Sequence, residues 1–278
     1  MNNGLNITSR VELNNGVKMP WLGLGVFRSK DGGPLERAIE YALKLGYRSF
    51  DTASIYQNEA GLGTALKSSD VERKDQFITT KLWNQHHGFD QTLKAFDNSL
   101  AKLQTDYIDL YLIHWPVPGL FKESWRALEK LYAEGRVKSI GVSNFMVHHL
   151  DDLLETAEIV PALNQIEFHP NLVQQSLLDY CSEKGIRAEA WSPLMKGRVQ
   201  HIGLLLELGR KYKKSPVQIV LRWNLQKGVV TIPKTVRPER LRHNADIFNF
   251  HLSDVEVAKI DRLDNHTRIG PDPDDLYF

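Results

Sequence analysis

Gly46-Tyr47-Arg48-Ser49-Phe50-Asp51-Thr52-Ala53-Ser54-Ile55-Tyr56-Gln57-Asn58-Glu59 is one complete strand–loop–helix junction. Gly46 closes a stretch of helical periodicity over 34–45, where a residue tolerant of positive φ suits a helix end. Residues 47–51 form a β-type run that stops at an acid, Asp51. A polar turn then carries Tyr56, and a helix begins near Asn58 and covers Glu59–Lys67.

The unit recurs in both directions. Upstream, 22–26 is a short apolar strand, and 8–19 reads as two strands around Asn14-Asn15-Gly16, a hairpin signal because Asn-Gly accepts positive φ. Downstream, strands at 76–81, 107–114, 137–143, 163–168, 186–191 and 229–233 alternate with helices. Those helices fall at 89–103, 121–133, 147–157, 174–184, 200–212, 216–227, 238–246 and 254–263. Strict alternation predicts a parallel sheet, and eight units predict a closed (β/α)8 TIM barrel with an N-terminal hairpin and extra helices late in the chain. The competing open doubly wound sheet announces itself with Gly-x-Gly-x-x-Gly after its first strand. Here that position reads Gly23-Leu24-Gly25-Val26-Phe27-Arg28, which breaks the pattern and opens no helix.

A chain of 278 residues fits one such barrel, so 1–278 is expected to be a single domain. It is 42% hydrophobic and 25% charged, enough for a large core. The net charge is +1, which offers no general attraction for nucleic acid or a membrane surface. Cys181 is alone, so neither an internal disulfide nor a thiolate metal cluster can form. The polar start lacks a signal peptide's apolar segment, which makes the cytoplasm the expected location; Asn6-Ile7-Thr8 then reads as a chance sequon. No metal-binding or Walker motif is present, and no metal is expected.

In this fold, chemistry sits at the C-terminal ends of the strands. Those ends carry Asp51, Lys81, His114, Ser143-Asn144, Asn164-Gln165 with His169 beyond, Trp191-Ser192 and Lys234. Taken alone, Asp51 reads as a cap, Lys81 as surface charge, His114 as a core histidine and Tyr56 as a packing residue. A polar group at nearly every mouth exceeds what capping needs.

Gly46 to Ala53 with Tyr56 and Asn58-Glu59, Leu110-Tyr111-Leu112-Ile113-His114-Trp115-Pro116, Gly141-Val142-Ser143-Asn144-Phe145, Asn164-Gln165 and Ile232-Pro233-Lys234-Thr235 resemble, in order and spacing, the signatures of the aldo-keto reductases. The resemblance is nearest to short bacterial and protozoan members that reduce glyoxal, methylglyoxal or prostaglandin precursors. It implies an NADPH-dependent reductase of aldehydes and small dicarbonyls, acting as a monomer. Tyr56 is then the general acid, with Lys81 lowering its pKa, Asp51 holding Lys81, and His114 aligning the carbonyl. Ser143, Asn144 and Gln165 match positions that hold the nicotinamide carboxamide, and Trp191 the aromatic stacked on its ring. Ser192 and Leu194 match pyrophosphate contacts. Lys234, Thr235 and Arg240 match the group around the 2′-phosphate, and Asn244 the adenine contact. His243 departs from the acid many relatives carry before that asparagine. Phe27, Trp83 and Trp115 match the substrate pocket, and the tail Leu276-Tyr277-Phe278 is expected to close over it. The short loops after His114 and Ser192 imply an open rim suited to small carbonyls. His86 and His87 read as solvated loop side chains. Two other readings stay open: a non-catalytic NADPH-binding regulatory subunit of the same fold, and a lyase using Lys81 as a Schiff base.

Overall fold

The computed structural model describes residues 4–276. A hairpin, β1 (Arg10–Glu12) and β2 (Lys18–Pro20), precedes the repeating units. These begin with β3 (Leu24–Gly25), α1 (Gly33–Leu45), β4 (Ser49–Asp51), α2 (Glu59–Lys67), β5 (Phe77–Leu82) and α3 (Phe89–Leu103). They continue with β6 (Ile108–Ile113), α4 (Phe121–Ala133), β7 (Val137–Ser143), α5 (Val147–Leu154), β8 (Leu163–Glu167) and α6 (Gln175–Glu183). The last are β9 (Arg187–Trp191), α7 (Gly203–Tyr212), α8 (Pro216–Gln226), β10 (Val230–Thr231), α9 (Pro238–Ala245) and α10 (Asp254–Asp261).

Strands β3 to β10 form one parallel sheet of eight in sequential order. Parallel bridges Leu22↔Thr231 and Gly25↔Lys234 bring its two edges together, and Gly23 N donates to Thr231 O at 3.0 Å. The barrel is therefore closed, as the alternation predicts. Every residue of β5 and β6 is buried, because helices cover the outer face and packed side chains fill the inner one. The two seam strands are shorter than their apolar runs, since their outer residues meet only through isolated bridges.

The hairpin plugs the N-terminal end. Val11, Leu13 and Met19 pack with Phe77, Leu110, Leu112, Leu163 and Val230 in a cluster separate from the main core. Strand ends at the opposite face are left to carry polar groups. Gly46 ends α1 at φ 99°, with its N–H and that of Tyr47 satisfying the last helical carbonyls; a side chain there would be strained. Among the described residues, no helix is long and apolar enough to cross a membrane. The expected tail closure involves Tyr277 and Phe278, which lie outside the described residues.

Candidate active site

The loop after β4 is built by its own polar residues. Asn58, fully buried, donates from Nδ2 to Val26 O at 2.9 Å and Ser29 O at 2.8 Å, and accepts from Thr52 Oγ1 at 2.6 Å. Glu59 accepts from Thr80 Oγ1 at 2.7 Å. Ser54 Oγ donates to Lys81 O at 3.0 Å, joining the loop to β5. A single 3-10 turn, Ser54–Tyr56, then presents Tyr56 half-buried beside the ends of β5 and β6.

Lys81 is completely buried, and its ammonium donates to both oxygens of Asp51 at 2.7 Å and to Thr52 O at 2.8 Å. Burial, the largest single influence, pulls its pKa down, but Asp51, Tyr56 and Glu189 together outweigh it, and the net shift is upward. Lys81 Nζ lies 5.3 Å from the centre of the Tyr56 ring. The ring centre of His114 lies 5.8 Å from that of Tyr56, edge-on, and 5.3 Å from Trp83. Phe27 packs on the outer side of Tyr56 at 4.9 Å, and Trp115 is buried beneath His114. Asp51, Tyr56, Lys81 and His114 thus converge on one mouth, rimmed by Phe27, Trp83 and Trp115.

Electrostatics correct one expectation. Burial pushes the Tyr56 phenol up, and the opposing pull of Lys81 does not reverse it; Asp51 adds to the rise. The ammonium moderates the shift rather than setting its sign. Burial, then the Lys81 charge and His87, hold His114 well below the usual histidine range, so its imidazole is neutral at neutral pH. His87 is a second correction. It is 6% exposed, neither ring nitrogen has a partner among the described residues, and burial lowers its pKa to about 4. The 3-10 turn Asn84–His86 and Gly88 at φ 104°, whose N–H donates to Ser124 Oγ, tuck it inward, while His86 stays exposed.

Asn144 knits the next mouths together. It sits at φ 65°, a conformation asparagine tolerates better than most side chains. Its Nδ2 donates to His114 O at 3.0 Å, its Oδ1 accepts from Trp191 Nε1 at 2.8 Å, and its N–H donates to Gln165 O at 2.9 Å. Ser143 Oγ donates to Gln165 O at 2.9 Å. Gln165 turns its own amide inward: Nε2 donates to Asp51 Oδ2 at 2.8 Å and to Glu189 Oε2 at 2.6 Å. Ser143, Asn144, Gln165 and Trp191 therefore meet one another and the Asp51 cluster.

Beyond Trp191, Ser192 is at φ 51° and Leu194 packs against the core. Across the seam, the bridge to Gly25 sets Lys234 at the same face. Lys234 and Arg240 are exposed, while Thr235 and Asn244 are buried. Partial burial lowers the Lys234 pKa. Arg242 points away, donating to Tyr41 Oη at 2.6 Å.

Two acids escaped the sequence reading. Glu167 at the end of β8 accepts from Ile269 N at 2.6 Å and Gly270 N at 3.1 Å, pairs with the buried His169, and so straps the tail to the barrel mouth. Gly270 lies so close to Trp191 that a Cβ there would sit 2.3 Å from its ring. Glu189 lies within β9. Its signal was available: a lone charge in the run Ala188-Glu189-Ala190 of a strand buried on both faces.

The model of the aldo/keto reductase family matches residues 22–265. The chain is 53% identical to a glyoxal reductase of Bacillus subtilis (strain 168), over 96% of this chain and 97% of that protein. It is 46% identical to the methylglyoxal reductase DkgA of Escherichia coli (strain K12), over 95% and 96% of the two chains. A crystal structure of a Gox0644 mutant in complex with NADPH superposes with a TM-score of 0.91 at 41% identity, over 97% and 99% of the two chains. With its closed barrel, its matched segment and relatives of this identity over nearly full length, the chain belongs to the aldo/keto reductase family.

Proposed function

We propose that this protein reduces aldehydes and small dicarbonyls, such as methylglyoxal and glyoxal, to alcohols with NADPH. The observation that carries the proposal is the meeting of Tyr56, Lys81, Asp51 and His114 at one barrel mouth. Similarity to a glyoxal reductase and a methylglyoxal reductase supports the substrate class. The residues present suit a dinucleotide phosphate. Lys234 and Arg240 are exposed cations, and Arg can bind phosphate through two bonds. Beside them, Ser143, Asn144 and Gln165 supply amide and hydroxyl groups for a carboxamide, and Trp191 a ring face for the nicotinamide. Ser192 and Leu194 would meet the pyrophosphate, Thr235 the 2′-phosphate and Asn244 the adenine.

When bound, NADPH supplies the hydride from its nicotinamide. The protein's own part is to align and protonate. Tyr56 keeps its proton at neutral pH, as a phenol ordinarily does and as burial reinforces, and it gives that proton to the carbonyl oxygen. Lys81 beside it stabilises the phenolate left behind, and Asp51 keeps Lys81 charged and in place. His114, neutral, hydrogen-bonds the carbonyl oxygen and orients it. Phe27, Trp83 and Trp115 wall the pocket. We place this activity in a cytoplasmic monomer of one domain, on the resemblance to short bacterial and protozoan members.

The Schiff-base reading fails on Lys81 itself: an ammonium with three acceptors and no exposure has no free lone pair for a carbonyl. The test is loss of nicotinamide absorbance with NADPH and methylglyoxal, in wild type and Tyr56→Phe. Wild type is expected to turn over, and Tyr56→Phe to lose turnover while still binding NADPH. No decay by wild type across a panel of aldehydes would instead favour the regulatory subunit.

A further inference from the structure

Glu189 belongs to none of the groups assigned above. It has no exposure, and its strand neighbours Ala188 and Ala190 are apolar. Gln165, its register partner on β8, links it to Asp51 through two bonds from one Nε2, at 2.6 Å and 2.8 Å. The charged groups facing Glu189 are Asp51 from β4 and Lys81 from β5; its partner on β10 is the apolar Val230. That single ammonium is already paired with Asp51. An ionised Glu189 would be a second buried negative charge with no cation of its own, which proteins avoid by keeping such a group protonated. Burial and the Asp51 carboxylate raise its pKa accordingly, with Gln165 and Lys81 opposing.

We propose that Glu189 is a positioning residue: through Gln165 it fixes the second oxygen of Asp51, and with it the Lys81 ammonium beside Tyr56, and it sets which face Gln165 turns to the cofactor. The inference rests on the catalytic reading above. Both N–H bonds of the Gln165 amide are given to carboxyl groups, so its carbonyl oxygen is the atom left to meet a carboxamide. Without an acceptor at 189 the amide can rotate, and the Asp51 carboxylate loses one of the groups that hold it. Once ionised at alkaline pH, Glu189 adds a negative charge that holds the proton on Lys81.

The test compares wild type, Glu189→Gln and Glu189→Leu by NADPH fluorescence titration and by kcat and KM from about pH 6 to about pH 10. Glu189→Gln keeps the acceptor and is expected within about threefold of wild type near neutral pH, with its alkaline limb moved downward, because the negative charge that holds the proton on Lys81 at alkaline pH is gone. Glu189→Leu is expected to weaken NADPH binding about tenfold or more and to lower kcat. A residue that only packs would alter thermal stability in both variants and leave the pH profile and NADPH affinity alone. Wild-type affinity and kcat in Glu189→Leu, or an unmoved alkaline limb in Glu189→Gln, overturns the proposal. Should Glu189→Leu not fold, the Glu189→Gln profile decides. If Tyr56→Phe retains turnover, the acid assignment falls, and NADPH affinity in Glu189→Leu still reads the grip on Gln165.

Discussion

Tyr56 shows how one residue answers to several neighbours. Burial favours the phenol and Lys81 favours the phenolate, so the group is kept protonated in the resting site yet has a cation ready for the charge that develops on proton loss. Sequence order and family resemblance bring Lys81 near Tyr56 but carry no measure of desolvation, which is why the sign of the shift was not legible. His87 failed for the same reason: a histidine in a loop between His86 and Gly88 gives no hint that a backbone turn buries it. At the other end of the site, Arg237 and Arg240 are exposed while Arg242 is committed to Tyr41, and Arg240 is the arginine proposed to meet a 2′-phosphate. Arg240→Ala is expected to weaken NADPH about tenfold, in the range of one charge-assisted bond of about 1.5–3 kcal/mol, and NADH hardly at all. Parallel titrations of the two cofactors check this; equal losses would remove Arg240 from phosphate recognition.

The helices were the most legible elements. Glu59–Lys67, Phe89–Leu103 and Phe121–Ala133 fall at the bounds that their apolar periodicity implies. The seam strands β3 and β10 were the least, because an apolar run records burial and not which of its residues find a ladder partner. Helix α10 carries a signal that is readable and also testable. Ser253-Asp254-Val255-Glu256 forms a reciprocal capping box, Glu256 N donating to Ser253 Oγ while Glu256 Oε2 accepts from Ser253 N. Glu256 also accepts from Lys211 Nζ and Tyr212 Oη of α7, both at 2.6 Å, which ties the two helices. Burial works against the carboxylate, but these three donors, with Ser253 Oγ as a fourth at 2.9 Å, hold its pKa down to about 2. A depressed carboxylate stabilises the fold at pH above the ordinary glutamate range and stops doing so as pH falls toward about 2. Glu256→Gln is therefore expected to lower stability by about 1 kcal/mol near neutral pH, the exposed Lys211 being screened by solvent, with the difference shrinking as the solution is acidified. Urea midpoints for both proteins at several pH values measure it. A difference that grows in acid would show that the charge is not what Glu256 contributes.

At the scale of the whole molecule, the two ends of the barrel do different work. Polar side chains from β4 to β9, with Lys234 just past the seam, gather at the C-terminal face, while the hairpin seals the N-terminal face with Val11, Leu13 and Met19. The eight-fold alternation made this division readable, since it assigns every strand end to one face before any contact is known. Met19 is the sharpest probe of it. The side chain has no exposure and packs in the plug against residues of β5, β6, β8 and β10. Truncation leaves a cavity between four strands that cannot collapse independently. Met19→Ala is expected to cost about 2–5 kcal/mol of stability. Because the plug lies at the closed end of the barrel and Tyr56, Lys81 and Trp191 at the open one, kcat for methylglyoxal and NADPH affinity should match wild type at temperatures where the variant is folded. Denaturant unfolding with kinetics on the same samples separates the two effects. A fall in kcat without a matching loss of folded protein would mean that packing at the closed end is transmitted to the open mouth through the strands.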